Sequence, residues 1–129
     1  MIVSHTLVPR TVHGEPSGNY DGSSLDWYSD PVKAANYYLG QGHVQTINFN
    51  LEQFVGIITI QATLQSFPGT TAQDDYITNR AWFKVAEIGD GIIPITEYRP
   101  VTVLGNFTWV RAHIIDFQNG IIQAITIVY

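Results

Sequence analysis

The chain has 129 residues, the length of one domain, and 45% of them are hydrophobic while only 13% are charged. Its net charge of −5 includes only six Lys and Arg residues, scattered along the sequence, which excludes a basic patch for nucleic acid or for an anionic membrane surface. Because the chain contains no Cys, disulfides, thiolate metal sites and Cys nucleophiles are excluded as well.

The first segment, residues 1–12, is rich in β-branched residues and precedes a long polar loop at residues 14–24. We expect it to form an edge strand, or an arm that adds a strand to a neighbouring subunit. It lacks the basic and then apolar pattern of a signal peptide, and no apolar run approaches the ~20 residues of a transmembrane helix.

Helical character is confined to residues 30–39, DPVKAANYYL. Pro is tolerated in the first turn of a helix, so Asp30-Pro31 can begin one, and Gly40 can end it. The segment predicts a helix of one or two turns.

Alternating polar and apolar residues predict strands through the remainder of the chain. Residues 44–50 and 54–64 alternate most clearly, and further strands are predicted at residues 82–88, 101–104, 107–117 and 121–129. In residues 44–50, one side carries Gln45, Ile47 and Phe49 and the other carries Val44, Thr46, Asn48 and Asn50. In residues 54–64, one side carries Ile58, Ile60, Ala62 and Leu64, and in residues 107–117 the buried face is expected to carry Val110, Ala112 and Ile114.

Turn-forming residues separate these strands. Loops are predicted at residues 40–42, 67–79, 89–91 and 105–106, and Asn119-Gly120 predicts a hairpin between the last two strands. Seven to eight short strands with turns at this spacing predict an all-β, single-domain antiparallel β-sandwich over residues 1–129, jelly-roll-like in arrangement. A β-barrel of similar strand number is the alternative.

No arrangement of reactive side chains indicates an enzyme. The four histidines, His5, His13, His43 and His113, have no metal-binding spacing, and no Ser lies in a Gly-x-Ser-x-Gly turn. Aspartates at 21, 26 and 30 leave open a calcium site in a loop, although they do not follow the EF-hand pattern. We therefore predict a non-enzymatic protein with no catalytic residues, no cofactor and no resident metal.

Aromatic residues are the best candidates for a binding surface. Tyr and Trp serve well in protein interfaces and in stacking on sugar rings. Trp109 and Arg111 are expected to point away from the core and to stack as a cation–π pair. The candidate interface or glycan-facing residues are Tyr20, Trp27, Tyr28, Tyr37, Tyr38, Trp109 and Arg111.

Three stretches, residues 30–38 (DPVKAANYY), 54–64 (FVGIITIQATL) and 105–112 (GNFTWVRA), occur in order, with the tetrapeptide WFKV at 82–85 before the last. Over residues 20–129 this pattern resembles virion structural proteins of tailed bacteriophages, of the contractile-tailed phage and cyanophage type. The resemblance implies a capsid-decorating, neck, baseplate or fibre-associated component.

The resemblance also implies an oligomeric state, partners and a location. The chain would form a homo-oligomer, dock on other virion structural proteins, and reside in a virion assembled in the host bacterial cytoplasm. Direct binding to nucleic acid or membrane is not expected. Residues 107–129 are also similar to the end of galactose-binding-like jelly rolls, which leaves a carbohydrate-binding module for receptor or glycan recognition as the alternative.

Overall fold

A computed structural model describes residues 3–39, 44–64 and 82–129. The described residues are nearly all in strands, as the sequence predicts, and the strands form one antiparallel sheet. The elements are β1 (Ser4–Val8), β2 (Thr11–Val12), β3 (Trp27–Tyr28), β4 (Val32–Lys33), α1 (Ala35–Leu39), β5 (Val44–Thr63), β6 (Phe83–Ile88), β7 (Ile95–Leu104) and β8 (Trp109–Val128).

Two 20-residue strands, β5 and β8, run antiparallel to each other through the whole sheet. At one end β7 pairs with the outer edge of β5, and β1 and β2 pair with the outer edge of β8. At the other end β6 pairs with β5, while β3 and β4 pair with β8. We call the end with β1, β2 and β7 the first half-sheet and the end with β3, β4 and β6 the second half-sheet.

The β5–β8 pair bends where the two half-sheets meet. Glu52 pairs with Ile121 and Ile57 with Ile115, and the register shifts twice between these two pairs. Four residues at the bend have positive φ: Gln53 (52°), Gly56 (158°), Asp116 (55°) and Gly120 (96°). Extra residues in one strand of a pair form β-bulges, which bend the strand and increase its twist.

The hairpin predicted at Asn119-Gly120 is therefore wrong. These residues lie inside the continuous strand β8, and the predicted strands at 107–117 and 121–129 are its two parts. The dipeptide favours a turn because both residues tolerate positive φ, but a bulge uses the same conformation. Likewise, the predicted strands at 44–50 and 54–64 are two parts of β5.

One hydrophobic core receives side chains from both half-sheets. The first contributes Ile47, Phe49 and Ile125, and the second contributes Ile58, Ile60 and Ile114, all fully buried. The buried face predicted for Val110, Ala112 and Ile114 is confirmed. In β5 the sides that carry Ile47 and Ile60 are the buried ones, and Leu64 is exposed because β5 ends at the preceding residue.

Hydrogen bonds connect the two half-sheets at the ends away from the bend. The Gln45 side chain accepts a bond from the backbone N–H of Ala35 (3.2 Å) and donates to the carbonyl of Val103 (3.2 Å). The Tyr129 hydroxyl donates to the carbonyl of Lys33 at 2.7 Å, which joins the end of β8 to β4. A short helix forms, but the start predicted at Asp30-Pro31 is wrong: Val32 and Lys33 pair with β8 as β4, and α1 begins at Ala35. The turns at 89–91 and 105–106 form as expected, and the predicted loops at 40–42 and 67–79 lie outside the described residues.

The N-terminal segment belongs to the sheet of its own chain. β1 pairs with the last residues of β8, and its Leu7 and Val8 are buried in the core. Its role in this structure is that of an edge strand, and removing it would remove core side chains. Among the described residues, no helix is long and apolar enough to cross a membrane.

Candidate functional site

Three of the seven candidate residues are not on the surface: Tyr20, Trp27 and Arg111. Tyr20 and Trp27 are only 1% and 4% exposed, and their rings lie 5.4 Å apart in the core. The Tyr20 hydroxyl accepts a hydrogen bond from the backbone N–H of Gly14 at 2.9 Å, so the ring anchors the polar loop from inside. The prediction that these two residues face a partner or a glycan is wrong, because loop sequences carry no periodicity that reveals which side chains turn inward.

Arg111 occupies a different environment from the one expected. It lies on the side of β8 opposite to Val110 and Ala112, as its alternation predicts, yet it is only 2% exposed. Its guanidinium carbon lies 4.3 Å from the ring centroid of Tyr28 and 4.4 Å from that of Trp82, rather than against Trp109. Its Nε donates to the Gln61 side chain at 2.7 Å.

Burial has an electrostatic effect on this guanidinium. Desolvation lowers the pKa of Arg111 to about 10, and the Tyr28 hydroxyl opposes the shift. The group remains charged at neutral pH, and the two rings and Gln61 supply its surroundings in place of water. This arrangement fits a structural role for Arg111 in holding Trp82 and β3 onto the sheet.

The remaining candidates lie farther along the same side of the second half-sheet. Trp109 contacts the Tyr37 ring edge-on, with the ring centroids 5.2 Å apart, and the Lys33 amine lies 4.6 Å from the Tyr37 centroid. Tyr38 follows in α1, where only its backbone is described. The second half-sheet therefore gathers four of the seven candidates on one side: Tyr28, Tyr37, Trp109 and Arg111.

His113 joins this group, which sequence reasoning missed. Its ring stacks on Tyr28 with centroids 4.0 Å apart and planes 14° apart. The strand alternation that places Arg111 on this side also places His113 there, so the signal was present in the sequence.

Protonation of His113 should make stability depend on pH. Burial lowers the pKa of His113, the carboxylate of Asp26 opposes the shift, and the Arg111 guanidinium adds to it. An unfolded His takes up a proton near pH ~6.5, and the folded residue does so only at lower pH, so acidification below that value favours the unfolded state.

We therefore expect the free energy of unfolding of the wild type to fall, relative to that of a His113→Phe variant, as the pH drops from about 8 to about 5. Urea denaturation of both proteins across this range measures the difference. Parallel stability curves for the two proteins would contradict the assignment.

The three loop aspartates do not converge on one point. Asp21 accepts hydrogen bonds from the backbone N–H groups of Ser23 (2.8 Å) and Ser24 (2.7 Å), which lower its pKa to about 2. Asp26 accepts from the backbone N–H of Asp116 at 2.9 Å, and Asp30 accepts from the Asn19 amide at 2.9 Å. Across residues 3–39, 44–64 and 82–129, no three His, Asp or Glu side chains group as metal ligands would.

The first half-sheet has an outward surface that sequence reasoning did not single out. Residues that pair directly across an antiparallel sheet lie on the same side, so the register defines this surface as four rows. From the free end toward the bend, the rows are Val44 and Leu104; Ser4, Val128, Thr46 and Thr102; Thr6, Thr126, Asn48 and Pro100; and Ala124, Asn50 and Tyr98. We call these residues the neutral face, because none of them is charged.

Most of the neutral face is open to solvent. Tyr98 and Leu104, in the two outermost rows of the face, are 72% and 70% exposed, and Val44 and Val128 are also exposed. The hydroxyls of Thr46 and Thr102, neighbours in one row, lie 2.9 Å apart and share a hydrogen bond between β5 and β7. The alternation in residues 44–50 already placed Val44, Thr46, Asn48 and Asn50 on one side, but only the strand pairing shows how far the uncharged surface extends.

Charged groups near the neutral face lie at its margins. Arg10 donates to Gln123, and Gln123 donates to the carboxylate of Glu52 at 2.8 Å, beside the bend. Glu97 and Arg99 form an ion pair at 2.6 Å, and their partners Leu51 and Phe49 place both on the core side of β7. Charge is thus kept off the face itself.

Neither the comparison with protein-family models nor the comparison with curated proteins found a match to this chain.

Proposed function

We propose that the chain is a non-enzymatic structural module that docks through the neutral face onto other proteins of a larger assembly. The observation that carries this proposal is the absence of charge from a four-stranded, solvent-exposed sheet surface. Surfaces of small domains are ordinarily about 25–35% Lys, Arg, Glu and Asp. The centres of protein interfaces, in contrast, contain few charged residues.

The chain has few charged residues for its length, and none of them lies on the neutral face. It contains six basic and eleven acidic residues, and the structure places those near this surface at its margins or on the core side. Thr, Asn, Pro and Tyr on the face can pack against a partner without the desolvation cost of burying an ion. The proposal includes the layering of the two half-sheets as a β-sandwich with a jelly-roll-like arrangement, supported by the single core they share.

The assembly we propose is the virion of a tailed phage, on the basis of the sequence stretches at 30–38, 54–64, 82–85 and 105–112. Mass spectrometry of purified particles whose genome encodes this chain should find it at a constant copy number per particle. A tagged chain carrying Thr102→Lys, in the middle of the neutral face, should be depleted at least tenfold from the particles relative to tagged wild type. Particles that lack the chain would contradict the virion assignment, and undiminished incorporation of the variant would contradict docking through this face.

The carbohydrate-binding alternative has less support. Tyr20 and Trp27 lie in the core, and Tyr28 is occupied by Arg111 and His113. Of the aromatic stretch between residues 20 and 38, only Tyr37 has a described side chain that is exposed.

A further inference from the structure

We propose that the partner of the neutral face is a second copy of this chain, which packs on it about a two-fold axis. The inference rests on the proposed docking role of this face and identifies its occupant. The axis would lie in the plane of the interface, along the rows, between the Thr46–Thr102 row and the Asn48–Pro100 row. The arguments are the symmetry of the face, its charge, its area and the character of the neighbouring edge.

The first argument is that the face is complementary to itself under this rotation. A two-fold interface requires that if residue i contacts residue j of the partner, then j contacts i. The rotation reverses the order of the rows, so Tyr98, in the row beside the bend, meets Leu104 of the second copy, and Leu104 meets Tyr98. An exposed aromatic ring thus covers an exposed aliphatic side chain twice, at opposite ends of the interface.

The central rows match in the same way. Thr102 meets Pro100 of the second copy, and Thr46 meets Asn48, so small and polar side chains face each other in the middle. Sheets that pack with their strands aligned in this manner are a common arrangement in β proteins.

Charge supplies the second argument. Each copy carries a net charge of −5, so two copies repel each other over most orientations. A face without ionisable groups lets them approach without placing like charges in contact or removing an ion from water.

Area supplies the third argument. With strands ~4.8 Å apart and ~6.8 Å between rows, the 13 residues of the face cover about 420 Å² per copy, or about 850 Å² in total. That total is somewhat below the minimum of about 1,000 Å² expected for a stable specific interface and falls in the range of weak, transient association. We therefore expect a dimer that dissociates on dilution.

The edge of β7 is poorly suited to the competing arrangement, in which the sheets would join edge to edge. Pro100 lies in the middle of this strand and has no backbone N–H to donate. Glu97 and Arg99 lie at the same edge, on the side of β7 opposite the neutral face, with 40% and 49% of their side chains exposed, and charged side chains on an edge strand discourage strand addition. Because the edge is unsuited, we expect the first half-sheet to associate through the neutral face.

The test uses the expected contact between Tyr98 of one copy and Leu104 of the other. Tyr98→Lys and Leu104→Glu should each weaken the dimer at least tenfold, measured by sedimentation velocity over a range of concentrations. The double variant, and an equimolar mixture of the two single variants, should regain most of the affinity because the introduced ammonium of one copy then faces the introduced carboxylate of the other. Leu25→Glu, at a leucine that is 52% exposed in the loop before β3, is the matched control and should leave the dimer unchanged.

The outcomes separate this inference from the proposed function. A wild type that remains monomeric at about 100 µM, or a dimer unaffected by either substitution, overturns the second copy as the occupant. If the Tyr98→Lys chain is nevertheless lost from purified particles, the docking role of the face stands and its partner is a different protein. The two-fold arrangement is also contradicted if both single variants lose dimer affinity and their equimolar mixture does not regain it.

Discussion

Replacing Gly120 with Ala is expected to lower the free energy of unfolding by about 4 kcal/mol or more. Gly120 has a φ of 96°, a conformation that residues with a Cβ rarely adopt. A Cβ built there would lie 2.5 Å from the carbonyl carbon of Gln53 and 2.6 Å from the Cα of Phe54. Both atoms are backbone atoms of the bend in β5, so the added methyl cannot be accommodated by the rotation of a side chain.

Gly14 is the matched control for this substitution. Its φ of 90° is nearly the same, but a Cβ added there would have no atom within 4 Å. Gly14→Ala should therefore cost only the conformational strain, about 1 kcal/mol. Urea denaturation of the two variants measures the difference, and equal losses of stability would show that the contact between the two strands at the bend is not what requires glycine.

This bend is also where the sequence misleads. Asn119-Gly120 between two apolar runs predicts a hairpin, and the local conformation it predicts, with positive φ at Gly120, does occur. What the dipeptide does not encode is whether the chain reverses there or continues. The pairing of β8 with β5 on both sides of Gly120 decides that, and it depends on residues more than 60 positions away in the sequence.

Strand faces are predicted more reliably than strand ends. Alternation groups Ile47 with Phe49, and later Ile58 with Ile60, on one side of the strand, because a period of two residues is a property of any strand, and the structure buries both of these sides. The same rule puts Arg111 opposite to the core, but it cannot reveal that Tyr28 and Trp82 cover it. The side chains that cover a residue such as Arg111 come from distant parts of the chain, and a single sequence does not show which ones they are.

The neutral face illustrates the same limit for the candidate site. Each strand shows a short run of uncharged residues on one side, which is ordinary when taken alone. The surface becomes unusual only when the register aligns Thr126, Asn48 and Pro100 in one row, and their sequence positions give no sign of this alignment. Aromatic residues such as Tyr20 are more conspicuous in the sequence, although the structure buries that ring.

Two tyrosines allow the core and the neutral face to be distinguished by one kind of substitution. Tyr20→Ala should lower the free energy of unfolding by about 4 kcal/mol, because truncating a buried aromatic ring leaves a cavity. The ring of Tyr20 packs 5.1 Å from that of Phe117 and 5.4 Å from that of Trp27, and its hydroxyl binds the loop at Gly14. Tyr98→Ala removes a ring that is 72% exposed and should cost less than about 1 kcal/mol.

The association of two copies should respond in the opposite order. Tyr98→Ala removes the ring that covers Leu104 of the second copy, so we expect dimer affinity to fall at least tenfold while the fold is retained. Tyr20→Ala, studied at a temperature where the variant is still folded, should leave the affinity unchanged because its ring lies in the core rather than on the neutral face. Urea denaturation at a dilution that favours the monomer gives the stabilities, and sedimentation velocity gives the affinities. If Tyr98→Ala destabilised the monomer as strongly as Tyr20→Ala, that ring would be part of the packed fold, and the neutral face would lose its principal contact residue.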